Sequence, residues 1–159
     1  MQPLKSINYR GGIVKFEVPT SWMEEYEPLG GATFYEDQPD SGTLRLNVLS
    51  LGSNGTMSGE AMVADLIARS GYTALHDGLA IRKYVKECNE AGEQLQMTYW
   101  EVAIPVEASS VRLAIFSFTI LNSQAADPQM QEQMELLARS ILSAEYSRAQ
   151  GEAGEHMDE

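Results

Sequence analysis

LQMTYWEVAIPVEASSVRLAIFSFTIL, residues 95–121, is the stretch on which the fold turns. It divides into two strands, 95–104 and 112–121. In the first, Trp100, Val102 and Ile104 share one face, while Met97, Tyr99 and Ala103 fall on the other. In the second, Ala114, Phe116, Phe118 and Ile120 oppose Leu113, Ile115 and Leu121. A strand that is apolar on both faces is covered on both faces. These two strands are therefore expected near the centre of an antiparallel sheet.

Towards the N-terminus, residues 79–87 form another strand, joined to 95–104 by Cys88-Asn89-Glu90-Ala91-Gly92, a hairpin turn region. Residues 43–50 alternate, with Leu44, Leu46 and Val48 inward and Thr43, Arg45 and Asn47 outward. A short strand at 32–36 precedes them, linked by the turn formers of 37–42. The first strand, 13–18, sets Val14, Phe16 and Val18 against Lys15 and Glu17 and stops at Pro19. These three are expected nearer an edge. Two helices complete the pattern. Ser58 caps one at 59–70, with Met62, Val63, Leu66 and Ile67 at helical spacing and Gly71 as its stop. Asp127-Pro128 opens the other, which carries the stripe Met130, Met134, Leu137, Ala138, Ile141 and Leu142 to about residue 144. The expected fold is α+β: an antiparallel sheet of about six strands packed with two helices, in the order βββαβββα. Residues 1–145 are expected as a single domain, and 146–159 as an acidic, disordered tail.

That order, together with Phe16-Glu17-Val18-Pro19-Thr20-Ser21-Trp22, in which a strand ends at proline and a tryptophan follows, resembles the PsbP-like superfamily. The group includes the photosystem II extrinsic protein, the Ran-binding Mog proteins, and bacterial domains acting as adaptors or chaperones for secreted effectors. The resemblance spans roughly 13–142. It implies a sandwich of antiparallel sheet and helices and a role in protein binding rather than catalysis, and it carries over no functional residue.

Composition narrows the partners. The 159 residues carry 11 basic and 23 acidic side chains, a formal charge of −12. Such a surface repels phosphate backbones and anionic lipids, so nucleic acid and membrane are not expected as partners. No run approaches the ~20 apolar residues of a membrane span. The single cysteine, Cys88, forms no internal disulfide and fits a reducing compartment. With residues 1–10 lacking the apolar core of a signal peptide, the expected location is cytoplasmic.

Tests for chemistry return little. Residues 37–42 look superficially like a calcium loop, but Pro39 and Val48 stand where the third and twelfth ligands belong. Glu24, Glu25 and Glu27 read as a solvated acidic face. His76 and His156 lie far apart and there is one cysteine, so no zinc spacing exists. A Cys88–His76–Asp77 thiol arrangement is geometrically possible, but no motif supports it against a free strand-end cysteine and a loop histidine. Asn54-Gly55-Thr56 matches a glycosylation acceptor, without meaning in a cytoplasmic chain. No cofactor or metal is expected.

What remains is a surface. Tyr35, Arg45 and Asn47 project from the polar side of neighbouring strands, and Tyr and Arg are enriched at binding hot spots. These three are the candidate binding residues. The expected function is a non-enzymatic protein-interaction module of the adaptor, chaperone or immunity type. A small-molecule or ion-binding domain using the groove between helix and sheet is the alternative, and a hydrolase or thiol enzyme the third reading. Self-association through the exposed edge near the first strands is a further expectation.

Overall fold

The computed structural model describes residues 2–52, 56–106 and 109–149. Among these residues, ten strands form two sheets. They are β1 (Leu4–Tyr9), β2 (Val14–Pro19), β3 (Met23–Tyr26), β4 (Ala32–Tyr35), β5 (Thr43–Gly52), β6 (Thr73–Ala74), β7 (Ala80–Glu90), β8 (Glu93–Val106), β9 (Ser110–Leu121) and β10 (Glu145–Tyr146). Helices α1 (Gly59–Arg69) and α2 (Pro128–Leu142) follow β5 and β9. The larger sheet runs β3-β4-β5-β9-β8-β7-β6, and β1-β2-β10 form the smaller; every pairing is antiparallel.

The two strands apolar on both sides, β8 and β9, are neighbours in the middle of the larger sheet, as their composition requires. The three strands expected nearer an edge are rearranged. β2 leaves the large sheet altogether and packs across it, so Val14, Phe16 and Val18 enter the core from the opposite layer. β5 pairs with β9 along its whole length and is the third strand from the edge. Alternation reports that a strand has one buried face, and both layers of a sandwich satisfy it equally. The strand count rises from six to ten because β1 and β3 were hidden in polar sequence and because β6 and β10 are two residues each.

The smaller sheet and α2 cover one face of the large sheet. Phe16 meets Phe34 and Phe116 edge-on at 5.4 and 5.3 Å, joining the two layers. On α2, the Ser140 hydroxyl accepts from the Glu17 amide (2.9 Å) and donates to the Glu17 carbonyl (2.7 Å), so a side chain finishes what the short β10 leaves unpaired on β2. Among the described residues, the opposite face of the large sheet is covered at one end only. There Val63 of α1, with Met62 and Leu66, packs on Tyr72, Ala80, Ala103, Val111 and Leu113. Gly59 permits that approach: a Cβ would lie 2.6 and 2.8 Å from the carbonyl oxygens of Ser110 and Val106.

Both helix starts match their sequence signals. Ser58 accepts from the Ala61 amide at 3.0 Å, and Asp127 from that of Gln129 at 3.2 Å. The hairpin turn is tighter than the expected 88–92: only Ala91 and Gly92 lie outside the strands, both with positive φ, the pair of values a two-residue primed turn needs. The expected tail boundary at 146 also moves. Tyr146 lies in β10, the Ser147 amide donates to the Ile13 carbonyl, and buried Arg112 donates to the carbonyls of Ser147 (2.6 Å) and Ala149 (3.1 Å). The rest of that segment, 150–159, with His156 and the Asn54-Gly55 part of the glycosylation pattern, lies outside the described residues. Among the described residues, no helix is long and apolar enough to cross a membrane.

Candidate interaction surface

Beyond the footprint of α1, the uncovered face of the large sheet carries a polar and aromatic field. Directly paired residues share a face, so the registers define its rows. One row runs Glu25, Thr33, Arg45, Ser117, Tyr99, Tyr84 from β3 to β7. The next holds Met23, Tyr35, Thr43, Thr119, Met97 and Lys86. Asn47 belongs to the row of Ile115, Glu101 and Arg82. The three candidate residues thus share this face. Arg45 and Asn47 are exposed; Tyr35 is half-buried and donates to Glu25 at 2.5 Å. They do not mark a sheet edge, because β5 is an interior strand.

The part missed by sequence reading lies on β7 and β8. Tyr84 and Tyr99 stack with ring centroids 4.8 Å apart and planes 10° from parallel. The Lys86 ammonium sits 5.7 and 5.6 Å from those two centroids, and the Arg82 guanidinium 5.0 Å from both Tyr84 and Tyr72. Beneath them lies Glu101, a buried carboxylate that accepts from Tyr72 (2.7 Å), Tyr84 (2.5 Å) and Arg82 (2.8 Å). Burial alone pushes the Glu101 carboxyl upward, but these three donors outweigh it and hold it below its ordinary value. Burial, then the bond to Glu101, pushes the Tyr84 phenol up to about 12. The network therefore keeps a carboxylate charged and a phenol neutral, and so fixes the angle at which Tyr84 and Arg82 meet solvent. Sequence reading took Met97 and Tyr99 as signs of a covering layer. They are instead half-buried by one another and by Tyr84 and Lys86, which stand beside them on β7.

Other candidate chemistry is dispersed. Cys88 is exposed on β7, its sulfur 4.0 Å from that of Met97. His76 precedes β7 and bonds to the Leu142 carbonyl (3.0 Å) and Asp77 (3.2 Å). Eight strand residues, roughly 25 Å, separate the start of β7 from Cys88, so the thiol arrangement is not assembled. Of the acidic cluster, Glu24 bonds Lys5 at 2.8 Å and Tyr26 at 2.7 Å, and Glu25 holds Tyr35. Among the described residues no group of three or more His, Cys, Asp or Glu is placed to hold a metal. A polar hollow of about 240 Å³ lies where α2 meets the smaller sheet, lined by Ser6, Lys15, Glu17, Ser143 and Glu145 among others. It is smaller than the ~300–1,000 Å³ of ordinary ligand pockets.

No protein-family model matches the chain, and no curated protein matches it either. Solved structures do. A Bacteroides thetaiotaomicron protein, determined at 1.50 Å, superposes with a TM-score of 0.60 at 16% identity over 92% of this chain, which spans only 49% of that one. LpqN of Mycobacterium tuberculosis, described as involved in cell envelope biogenesis, gives 0.56 at 14% identity, covering 90% of this chain and 84% of its own. The cyanobacterial PsbP of Synechocystis is matched at 0.43 and 12% identity, over 92% and 94%. At such identities the likeness is one of fold alone. What the first two share with this chain is its fold, which here is α+β with antiparallel sheets and two helices.

Proposed function

We propose that this chain is a non-enzymatic protein-interaction module that binds its partner on the uncovered face of the large sheet. The observation carrying this reading is the Tyr84–Tyr99 stack, flanked by Lys86 and Arg82, on a face that also exposes Arg45. Tyrosine and arginine on a rigid strand platform supply large contact area at little entropic cost. The cations Arg45 and Lys86 fit a protein surface presenting carboxylates, and the −12 charge of the chain disfavours polyanionic polymers. A lone exposed thiol, Cys88, suits a reducing, cytoplasmic setting. The test is affinity capture from lysate of the source organism with wild type, Tyr99→Ala and Arg45→Ala. A stoichiometric partner held by wild type and lost by both variants is expected; repeated absence of any such partner would sink the reading.

A further inference from the structure

β7 presents an unpaired strand edge. It pairs with β8 throughout, from Ala80↔Ala103 to Glu90↔Glu93, without a bulge, and on its other side only Ala80 and Ile81 are covered, by β6. Beyond them, no described strand pairs with residues 82–90 on that side. Sheet edges are commonly guarded by charged side chains, lysine above all, by bulges or by proline. Here neither bulge nor proline occurs. The two lysines lean inward over β8 and its neighbours: Lys83 sits 5.8 Å from the Trp100 centroid, and Lys86 lies over Tyr84 and Tyr99. Between them Val85 is 51% exposed.

A second copy is a poor occupant. In a two-fold antiparallel pair, an axis at Val85 would set Lys83 against the partner's Glu87 and Tyr84 against the partner's Lys86, both favourable. That register, however, lays the partner's Asn89 and Glu90 opposite Ile81 and Ala80, where Thr73 and Ala74 of β6 already sit. Moving the axis to Lys86 or Glu87 clears β6 but sets that residue against its own copy, and like charges directly opposite repel; an axis at Cys88 opposes Lys86 with Glu90 but leaves only residues 86–90 paired. The edge is thus built against itself while its backbone stays open.

We propose that β7 accepts an extended segment of a different protein as an added strand, with carboxylates opposite Lys83 and Lys86, an apolar side chain opposite Val85 and a cation opposite Glu87. Backbone hydrogen bonds supply affinity in such an addition, and the alternating side chains supply selectivity. The proposal rests on the reading of the chain as a protein-interaction module and adds where and how the partner docks.

The probe is a fluorescent synthetic peptide matched in length to residues 82–90 and carrying that pattern, titrated by anisotropy against the full chain. The expected result is saturable binding, with amide exchange slowed at 83–90 and unchanged at β3. Lys83→Glu with Lys86→Glu, checked for an unaltered melting curve, should weaken binding roughly tenfold and favour the counterpart peptide with lysines at those two positions. No binding at millimolar peptide, indifference to the charge reversal, or protection at β3 would overturn the proposal. So would a concentration-dependent dimer whose interface protects 83–90, or exchange at 83–90 that rises when residues 150–159 are removed. If the peptide fails while a captured partner is still lost by Tyr99→Ala, the edge proposal falls and the functional reading stands. If the peptide binds but no natural partner is ever captured, the functional reading falls instead.

Discussion

Ala32, Leu46, Phe116 and Trp100 form a row across the large sheet; Thr33, Arg45, Ser117, Tyr99 and Tyr84 form the row beside it on the other face. A single step along each strand converts one into the other. The first row is buried beneath β2 and α2. Among the described residues, the second receives no covering element beyond the end that α1 occupies. Its larger groups are restrained by hydrogen bonds to Glu101 and by stacking, not by a lid. Rigidity has two sources in this sheet: exclusion of water on one face and polar saturation on the other. The second source leaves side chains both ordered and reachable, which is what a binding platform requires.

The contrast is broken most strongly on the covered face. Phe116→Ala removes a fully buried ring that meets Phe16 across the layers and should cost about 3–5 kcal/mol in denaturant unfolding. On the open face, Glu101→Ala strips three donors of their acceptor and should cost about 2–3 kcal/mol. It should also loosen the Tyr84–Tyr99 stack, seen as faster ring flipping by NMR. Ser140→Ala, which frees both polar backbone groups of Glu17 that it serves, should cost about 1–2 kcal/mol by the same measurement.

Acidity sharpens the comparison. Because the folded state holds Glu101 below its ordinary value, its contribution is present above the unfolded carboxylate range and is lost as pH falls through the folded value. Wild type should therefore lose more stability than Glu101→Gln when titrated downward from about pH 4.5. The Tyr84 phenol, raised to about 12, contributes in full below the unfolded value near 10 and loses that contribution as pH climbs towards 12. Ultraviolet titration of wild type against Tyr84→Phe checks it. Smallest of all, Arg45→Ala should change stability by less than about 0.5 kcal/mol, while partner capture fails.

The sequence showed the centre of this molecule better than its margins. β8 and β9 announced themselves through two apolar faces, and Asp127-Pro128 marked α2 through a capping chemistry that works locally. β1 was silent because only Ile7 and Tyr9 of its six residues are buried. β3 was silent because all four of its residues are exposed, so hydrogen bonding to β4 alone makes it a strand. Arg45 and Asn47 could be placed on a polar face from alternation within one strand. Tyr84, Lys86 and Tyr99 could not, since their association depends on the register of β7 against β8, which the two-residue turn at Ala91-Gly92 sets. A tyrosine at an alternate position of each strand flanking a tight hairpin is the signal that would have found them.

The most direct test is a footprint of the captured complex by hydrogen exchange. The account predicts slowed exchange on the open-face strands β5, β8 and β7 with none gained on α2, and loss of that footprint in Tyr99→Ala. Protection centred on α2 and the smaller sheet, unaltered by Tyr99→Ala, would contradict it.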